Sequence, residues 1–158
     1  MDGIDLQKLI PTETDLSKKT TWVEFKGIRF KVRYVSRASL MKLAESSMIA
    51  GYDPKQKGRV RNVNVDKYID QVFSSILVDW ENCTPRTLSN IMLLNVEGLD
   101  DEKLDSKIPF TRDNMLSVVK NVHDLDNFIQ ECAVDAALFK HPNDEELTKN
   151  LPSSPTGT

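Results

Sequence analysis

The sequence has few of the residues from which disulfides, metal sites and catalytic triads are built. Its 158 residues include only two cysteines, Cys83 and Cys132, and two histidines, His123 and His141. No pair of these residues has the spacing of zinc ligands. We therefore expect two free thiols in a reducing compartment, with no structural metal and no cofactor.

Long apolar runs are absent as well. The longest continuous apolar stretches hold only a few residues, whereas a membrane-spanning helix needs about 20. The first residues, MDGIDLQKLIPTETDLSKKT, lack the basic start and apolar stretch of a signal peptide. These absences predict a cytoplasmic protein with no membrane partner.

The charge balance does not favour nucleic acid as a partner. The net charge is −3, from 21 basic and 24 acidic residues, and a phosphate backbone rewards a concentrated positive surface. One segment is an exception. Residues 51–64, GYDPKQKGRVRNVN, read as a loop in which Lys55, Lys57, Arg59 and Arg61 alternate with other residues. This basic loop could contact phosphates or an acidic partner, but most loops of this kind are simply solvated.

An alternating pattern near the N-terminus predicts a β-hairpin over residues 21–25 and 28–35. Apolar residues at 28, 30, 32 and 34 alternate with cations at 29, 31 and 33, which is the two-residue period of a half-buried strand. Lys26-Gly27 supplies the turn, because glycine adopts positive φ at little cost.

The remainder of the central region has helical periodicity. Stripes of apolar residues predict helices over about 37–50, 65–77, 85–94, 112–122 and 124–140. The expected helix starts are Ser36, Thr84 followed by Pro85, Thr111 and Asp124. The predicted fold is therefore mainly α, a small helical domain of about five helices with an N-terminal β-hairpin.

The two ends differ from the centre in composition. Residues 1–19 are polar apart from a weak apolar cluster, Leu6, Leu9 and Ile10, and Pro11 ends any helix there. We expect a flexible arm over 1–19, an ordered domain over 20–140, and a disordered tail over 141–158, which is rich in Pro, Ser, Thr and charge.

One stretch, LVDWENCTPRT, could be read as a catalytic acid pair beside an aromatic platform for a sugar. On an extended segment, however, Asp79 and Glu81 share one face and Trp80 points the other way. Nothing nearby predicts the raised pKa that glycosidase acids need. We therefore predict Trp80 in the core, the acids in water and no catalytic residue.

The acidic segment around Asp100, Asp101, Glu102 and Asp105 does not follow the order of a calcium-binding loop, since Gly98 precedes the acids. No metal ligand is predicted there. The large aromatic side chains are predicted to be structural anchors, because buried aromatics contribute much apolar area. These anchors are Trp22, Phe30, Tyr34, Trp80, Phe110 and Phe128.

The order of these elements resembles that of the tail assembly chaperones of long-tailed, siphovirus-like bacteriophages and prophages. Four stretches carry the resemblance across about residues 20–140: WVEFKGIRFKVRYVSRASLMKL, VFSSILVDWENCT, IPFTRDNMLSVVKNV and LDNFIQECAVDAALF. The segment over 51–64 departs from the shorter connection expected at that point. In this resemblance, the Trp80 segment marks a junction between two helices.

The resemblance implies a binding role without chemistry. Such chaperones bind the tape measure protein during tail morphogenesis, help to recruit tail tube protein, and are absent from the mature virion. They act in the cytoplasm of the bacterial host, and in many phages a frameshift near the end of the gene adds a longer form. Self-association is compatible with exposed apolar stripes. The alternative is a minor tail or baseplate structural protein of a phage or prophage.

Overall fold

The computed structural model describes residues 3–53, 58–63 and 65–140, and over 48–53 and 58–63 it describes the backbone only. The strands in these ranges are β1 (Thr20–Phe25), β2 (Ile28–Arg33), β3 (Met48–Asp53), β4 (Gly58–Val63) and β5 (Leu77–Glu81). The helices are α1 (Leu6–Leu9), α2 (Glu13–Leu16), α3 (Arg37–Ser46), α4 (Val65–Ile76), α5 (Pro85–Ser89), α6 (Asp101–Leu104), α7 (Arg112–Asn121), α8 (Leu125–Ala133) and α9 (Ala137–Lys140).

The N-terminal hairpin is confirmed. Strands β1 and β2 pair antiparallel, with Phe25 opposite Ile28 at the turn. Lys26 and Gly27 both have positive φ, 49° and 90°, as a two-residue turn that matches the twist of the strands requires. The apolar side chains at 28, 30 and 32 are fully buried and the cations between them are half-buried.

The prediction of a mainly α fold is wrong, because the fold is mixed α/β. The hairpin is extended by β5 into a three-stranded antiparallel sheet of order β1-β2-β5. The Trp80 segment is therefore a strand of the sheet and not merely a junction between helices. The physical reason is that β2 has a second edge, and β5 satisfies the backbone groups along it.

The β2–β5 register explains how the acids and the tryptophan are separated. Phe30 lies opposite Trp80, while Arg29 lies opposite Glu81 and Lys31 opposite Asp79. Charges of opposite sign thus face each other on the outer side of the sheet. The register shifts between Lys31 and Val32, a β-bulge that lets both Leu77 and Trp80 be buried.

A second difference concerns residues 47–63. The helix predicted over 37–50 ends at Ser46, and the chain then forms β3 and β4, an antiparallel pair with Met48 opposite Val63. The prediction of a loop over 51–64 is therefore wrong for the described part of that range. Its alternating sequence, GRVRNV, has the period of a strand.

Three of the predicted helix starts are confirmed by hydrogen bonds. Ser36, Thr84 and Thr111 each accept a bond from the backbone N–H three residues later. Asp124 occupies the corresponding position before α8, but it has a φ of 66° and its side chain makes no capping bond. The last predicted helix is also divided, because α8 ends at Ala133 and α9 begins at Ala137.

The core lies between the inner face of the three-stranded sheet and the helices α4, α7 and α8. The largest fully buried side chains there come from both layers, and they include Phe30, Ile28, Phe73, Ile76, Met115, Leu125, Ile129 and Trp80. Helix α4 contacts α3, α7 and α8 as well as the sheet. The core is thus built from the three-stranded sheet and the helices packed on its inner face.

Candidate functional site

The Trp80 stretch is a structural element in which Asp79, Trp80 and Glu81 each form a side-chain hydrogen bond. The Trp80 ring is fully buried, and its Nε1–H donates to the Ile108 carbonyl at 2.8 Å. The Asp79 carboxylate accepts from the Trp80 backbone N–H at 2.8 Å. The Glu81 carboxylate accepts from the Arg29 guanidinium at 2.6 Å. The two acids are held by neighbouring groups of the sheet, an arrangement that serves strand pairing.

The other predicted anchors differ in their environments. Phe30 is fully buried. Tyr34 and Phe128 are half-buried, and their rings pack on Phe139 and Phe25 at centroid distances of 5.4 and 5.1 Å. The half-buried ring of Phe110 meets the Trp80 ring edge to face at 4.9 Å. These three half-buried rings therefore lie at the edge of the hydrophobic core.

Trp22 is unlike the other aromatics because it lies on the outer face of the sheet. It is 9% exposed, and the Arg29 and Lys31 side chains lie over its ring at 4.8 and 5.9 Å. Its Nε1 is buried and has no hydrogen-bond partner among the described residues. The cations and the indole cover one another, a cation–π arrangement that shields the ring from water.

The four cations of the basic loop fall in two groups. Lys55 and Lys57 lie outside the described residues, and Arg59 and Arg61 belong to β4, where only the backbone is described. Contact between these cations and a partner stays a prediction.

Two carboxylates of the acidic segment contact the same cation, Arg86. Asp100 caps α6 by accepting from the Lys103 N–H at 2.9 Å. Asp101 and Asp105 both contact the Arg86 guanidinium, at 3.1 and 2.7 Å. The hydrogen bond from Arg86 lowers the pKa of Asp105. Within the described part of the chain, no group of three or more His, Cys, Asp and Glu side chains could hold a metal ion.

Both thiols are free. Burial raises the pKa of Cys83 to about 12, and burial together with Asp135 and Glu131 raises that of Cys132 to about 11. A nucleophilic cysteine needs a lowered pKa. These environments therefore disfavour the reactive thiolate.

The most distinctive surface is formed by the N-terminal arm, over residues 3–19. Neither α1 nor α2 contains a buried residue. Ile4, Leu6, Leu9 and Ile10 are exposed by 83%, 62%, 63% and 51%. We call these four side chains the arm face. The sequence identified the apolar cluster at 6, 9 and 10, but only the structure shows that nothing in the described residues covers it.

The arm face continues into a groove of about 380 Å³, here called the arm groove. It is lined by Ile10, Pro11 and Leu16 of the arm together with Tyr34, Ala136 and Phe139. Lys19 and Lys140 complete the lining. No spacing rule links residues 10–19 to residue 139, so sequence reasoning could not find this groove.

A polar contact fixes the arm beside the domain. The Glu13 carboxylate accepts from the Ser39 hydroxyl at 3.0 and 2.9 Å, in the first turn of α3. A negative charge is favourable there because the helix N-terminus carries partial positive charge. The cleft beneath this contact, about 550 Å³, also includes Arg33 and Lys42. The arm is therefore attached through hydrogen bonds and a small apolar contact.

A second exposed apolar site follows α5. Leu93 is fully exposed, at 101%, and the neighbouring Leu94 is 36% exposed. Ile91 and Met92, just before them, pack against the core. The chain therefore presents two leucines to solvent at a point fixed by buried neighbours.

Among the described residues, no helix has the length and apolar character needed to cross a membrane. Comparison of the chain with models of protein families, with curated proteins and with solved structures gives no match.

Proposed function

We propose that this protein is a phage tail assembly chaperone that binds the tape measure protein and helps to recruit tail tube subunits. The observation that supports this function best is the arm face, a row of four exposed apolar side chains that continues into the arm groove. The order of motifs over residues 20–140 supplies the family resemblance, and the arm face supplies a surface on which an apolar client could bind.

The geometry of this surface suits a helical client. An amphipathic helix binds by laying its apolar side chains, spaced three and four residues apart, along an apolar groove. The arm groove has side chains of that character on both walls, Leu16 on one and Phe139 on the other. A long helical tape measure protein exposes such stripes until the tail tube surrounds it. Covering them would prevent aggregation.

The weak attachment of the arm supports an adaptable mode of binding. Its two short helices bury no side chain, so the arm can change position without disrupting the core. We propose that the chaperone acts in the cytoplasm of the bacterial host and is released before the virion matures. As in the resembling family, a frameshifted longer form could contact the tail tube protein.

Co-expression with the tape measure protein tests the proposal. The wild-type chain should increase the soluble fraction of that client, and Leu6→Ser with Leu9→Ser should abolish the increase. The matched control is Val65→Ser, because this side chain is 58% exposed and begins α4, whereas the arm cleft is bordered by Ser74 and Ser75 at the other end of that helix. The control should solubilise the client as the wild type does.

Two results would contradict the proposal. If the tape measure protein is equally insoluble with and without the wild-type chain, the chaperone function is wrong. If the chain is found by mass spectrometry in purified virions, a minor tail or baseplate protein becomes the better description. Equal solubilisation by the arm variant and the control would remove the arm face as the binding surface.

A further inference from the structure

The exposed leucines after α5 lie in an acidic environment. We call residues 93–102 the acidic loop, since Leu93 and Leu94 are followed by Glu97, Asp100 and Glu102. Neither Glu97 nor Glu102 forms an ion pair with a described residue. A surface with two exposed leucines and uncompensated carboxylates fits an apolar groove bordered by cations.

The arm groove has that complementary character. Its walls are apolar, and its two charged lining residues, Lys19 and Lys140, are both cations. Both lysines are exposed, and neither forms a salt bridge within the described ranges. The groove and the acidic loop thus match in apolar character and are opposite in charge.

The two surfaces lie at opposite ends of the three-stranded sheet. The groove is at the end where the Tyr34 N–H donates to the Lys19 carbonyl at 2.8 Å. The chain leading into α5 is at the other end, because the Asn82 amide donates to the Gly27 carbonyl of the hairpin turn at 2.6 Å. The six residues of β2 between them span about 20 Å.

Ion pairs keep the acidic loop at the same end of the sheet as α5. Arg86 of α5 contacts Asp101 at the start of α6 and Asp105 just after its end, so both ends of the loop are anchored to α5. It therefore does not reach the groove of its own chain, and a second copy is the occupant that fits.

We propose that the acidic loop of one copy docks into the arm groove of another, with Leu93 and Leu94 against Leu16 and Phe139. Because the two surfaces are different and lie at opposite ends, the contact is heterologous and joins copies head to tail. This docking does not rest on the proposed chaperone function. If the groove also binds the tape measure protein, the client and the neighbouring copy compete for it.

A mixing experiment tests the head-to-tail arrangement with purified chain alone. The loop variant carries Leu93→Ser and Leu94→Ser, and the groove variant carries Ile10→Ser and Lys140→Glu. All four positions are exposed, and circular dichroism verifies folding. In sedimentation velocity, the average mass of the wild type should rise with concentration. Each variant alone should associate about tenfold or more weakly.

The decisive sample is the equimolar mixture of the two variants. The groove variant still has an intact loop and the loop variant an intact groove, so the mixture should form a 1:1 complex and no larger species. The control Val65→Ser, at a position 58% exposed at the start of α4, should associate as the wild type does. Added salt should weaken the association of both proteins. A monomeric wild type at all concentrations overturns the proposal, and so does a mixture that stays monomeric while the wild type associates. Neither failure affects the chaperone function, since no client is present.

Discussion

Truncation of Trp80 should be among the most damaging single changes in the core. The ring is fully buried, and it packs edge to face on Phe110 at 4.9 Å and on Phe30 at 6.4 Å. Trp80→Ala would leave a cavity where the sheet meets the segment before α7. We expect it to cost about 3–5 kcal/mol, a large part of the roughly 5–15 kcal/mol that stabilises a domain.

Trp22 provides a matched control within the same sheet. Both tryptophans are at least nine-tenths buried, but Trp22 lies under the side chains of Arg29 and Lys31 on the outer face. Its indole N–H has no partner in the described part of the chain, whereas that of Trp80 donates to Ile108. Trp22→Ala should therefore cost less than Trp80→Ala.

The corresponding phenylalanine variants isolate the hydrogen bond. Trp80→Phe and Trp22→Phe delete the same atoms. The first breaks a bond to the Ile108 carbonyl, and the second removes a buried donor for which the described ranges supply no acceptor. Trp80→Phe should therefore be more destabilising than Trp22→Phe by about 1–3 kcal/mol.

Urea denaturation followed by far-UV circular dichroism measures all four variants, because tryptophan fluorescence changes with the substitutions themselves. Free energies of unfolding should be compared at similar denaturant dependence. Equal costs for the two phenylalanine variants, or a smaller cost for Trp80→Ala than for Trp22→Ala, would refute this account of the sheet.

Three further predictions concern the same corner of the molecule. Thr84→Ala removes the acceptor for the Thr87 N–H at 3.1 Å, and it should cost about 1 kcal/mol in urea denaturation; an unchanged midpoint would show that α5 needs no cap. Glu81→Gln removes an ion pair with Arg29 in which both side chains are substantially exposed, so thermal unfolding should register a loss of less than about 1 kcal/mol. Burial raises the pKa of Cys83 to about 12, so its thiolate is scarce near pH ~8. A thiol reagent should therefore modify Cys83 in urea but not in the native protein. Rapid labelling of Cys83 in the native protein, located by mass spectrometry, would contradict the burial.

Local signals accounted for much of the secondary structure. The alternation over residues 28–34 and the Lys26-Gly27 turn specify a hairpin from neighbouring residues alone. Ser36, Thr84 and Thr111 cap their helices through atoms three residues away. Such signals can be read from the sequence because both partners lie within one turn of a helix or one turn of a hairpin.

The sequence-based predictions of secondary structure were wrong where a residue's partner is distant in the chain or where the backbone departs from a regular pattern. Leu77–Glu81 is a strand because it pairs with β2, almost fifty residues earlier in the chain. A pairing over that distance leaves no signal in the local spacing of residues. Asp124 has the residue type of an ordinary cap, but its φ is positive and its side chain accepts from the Asn127 side chain instead of a backbone N–H. The helix predicted over 37–50 ends at Ser46, and the β3–β4 pair follows it. The apolar stripe that predicted the helix did not indicate where it ends.

Local sequence patterns were enough to predict the hairpin, the main helix starts, the inward side of Trp80 and the scarcity of residues for metal or thiol chemistry. Each of these depends on near neighbours or on composition. The folded chain was needed to show that β5 completes a sheet, that Arg86 contacts both Asp101 and Asp105, and that Leu6, Leu9 and Leu93 are exposed. Exposure depends on what the rest of the chain leaves uncovered, and for that reason the binding surfaces required the fold.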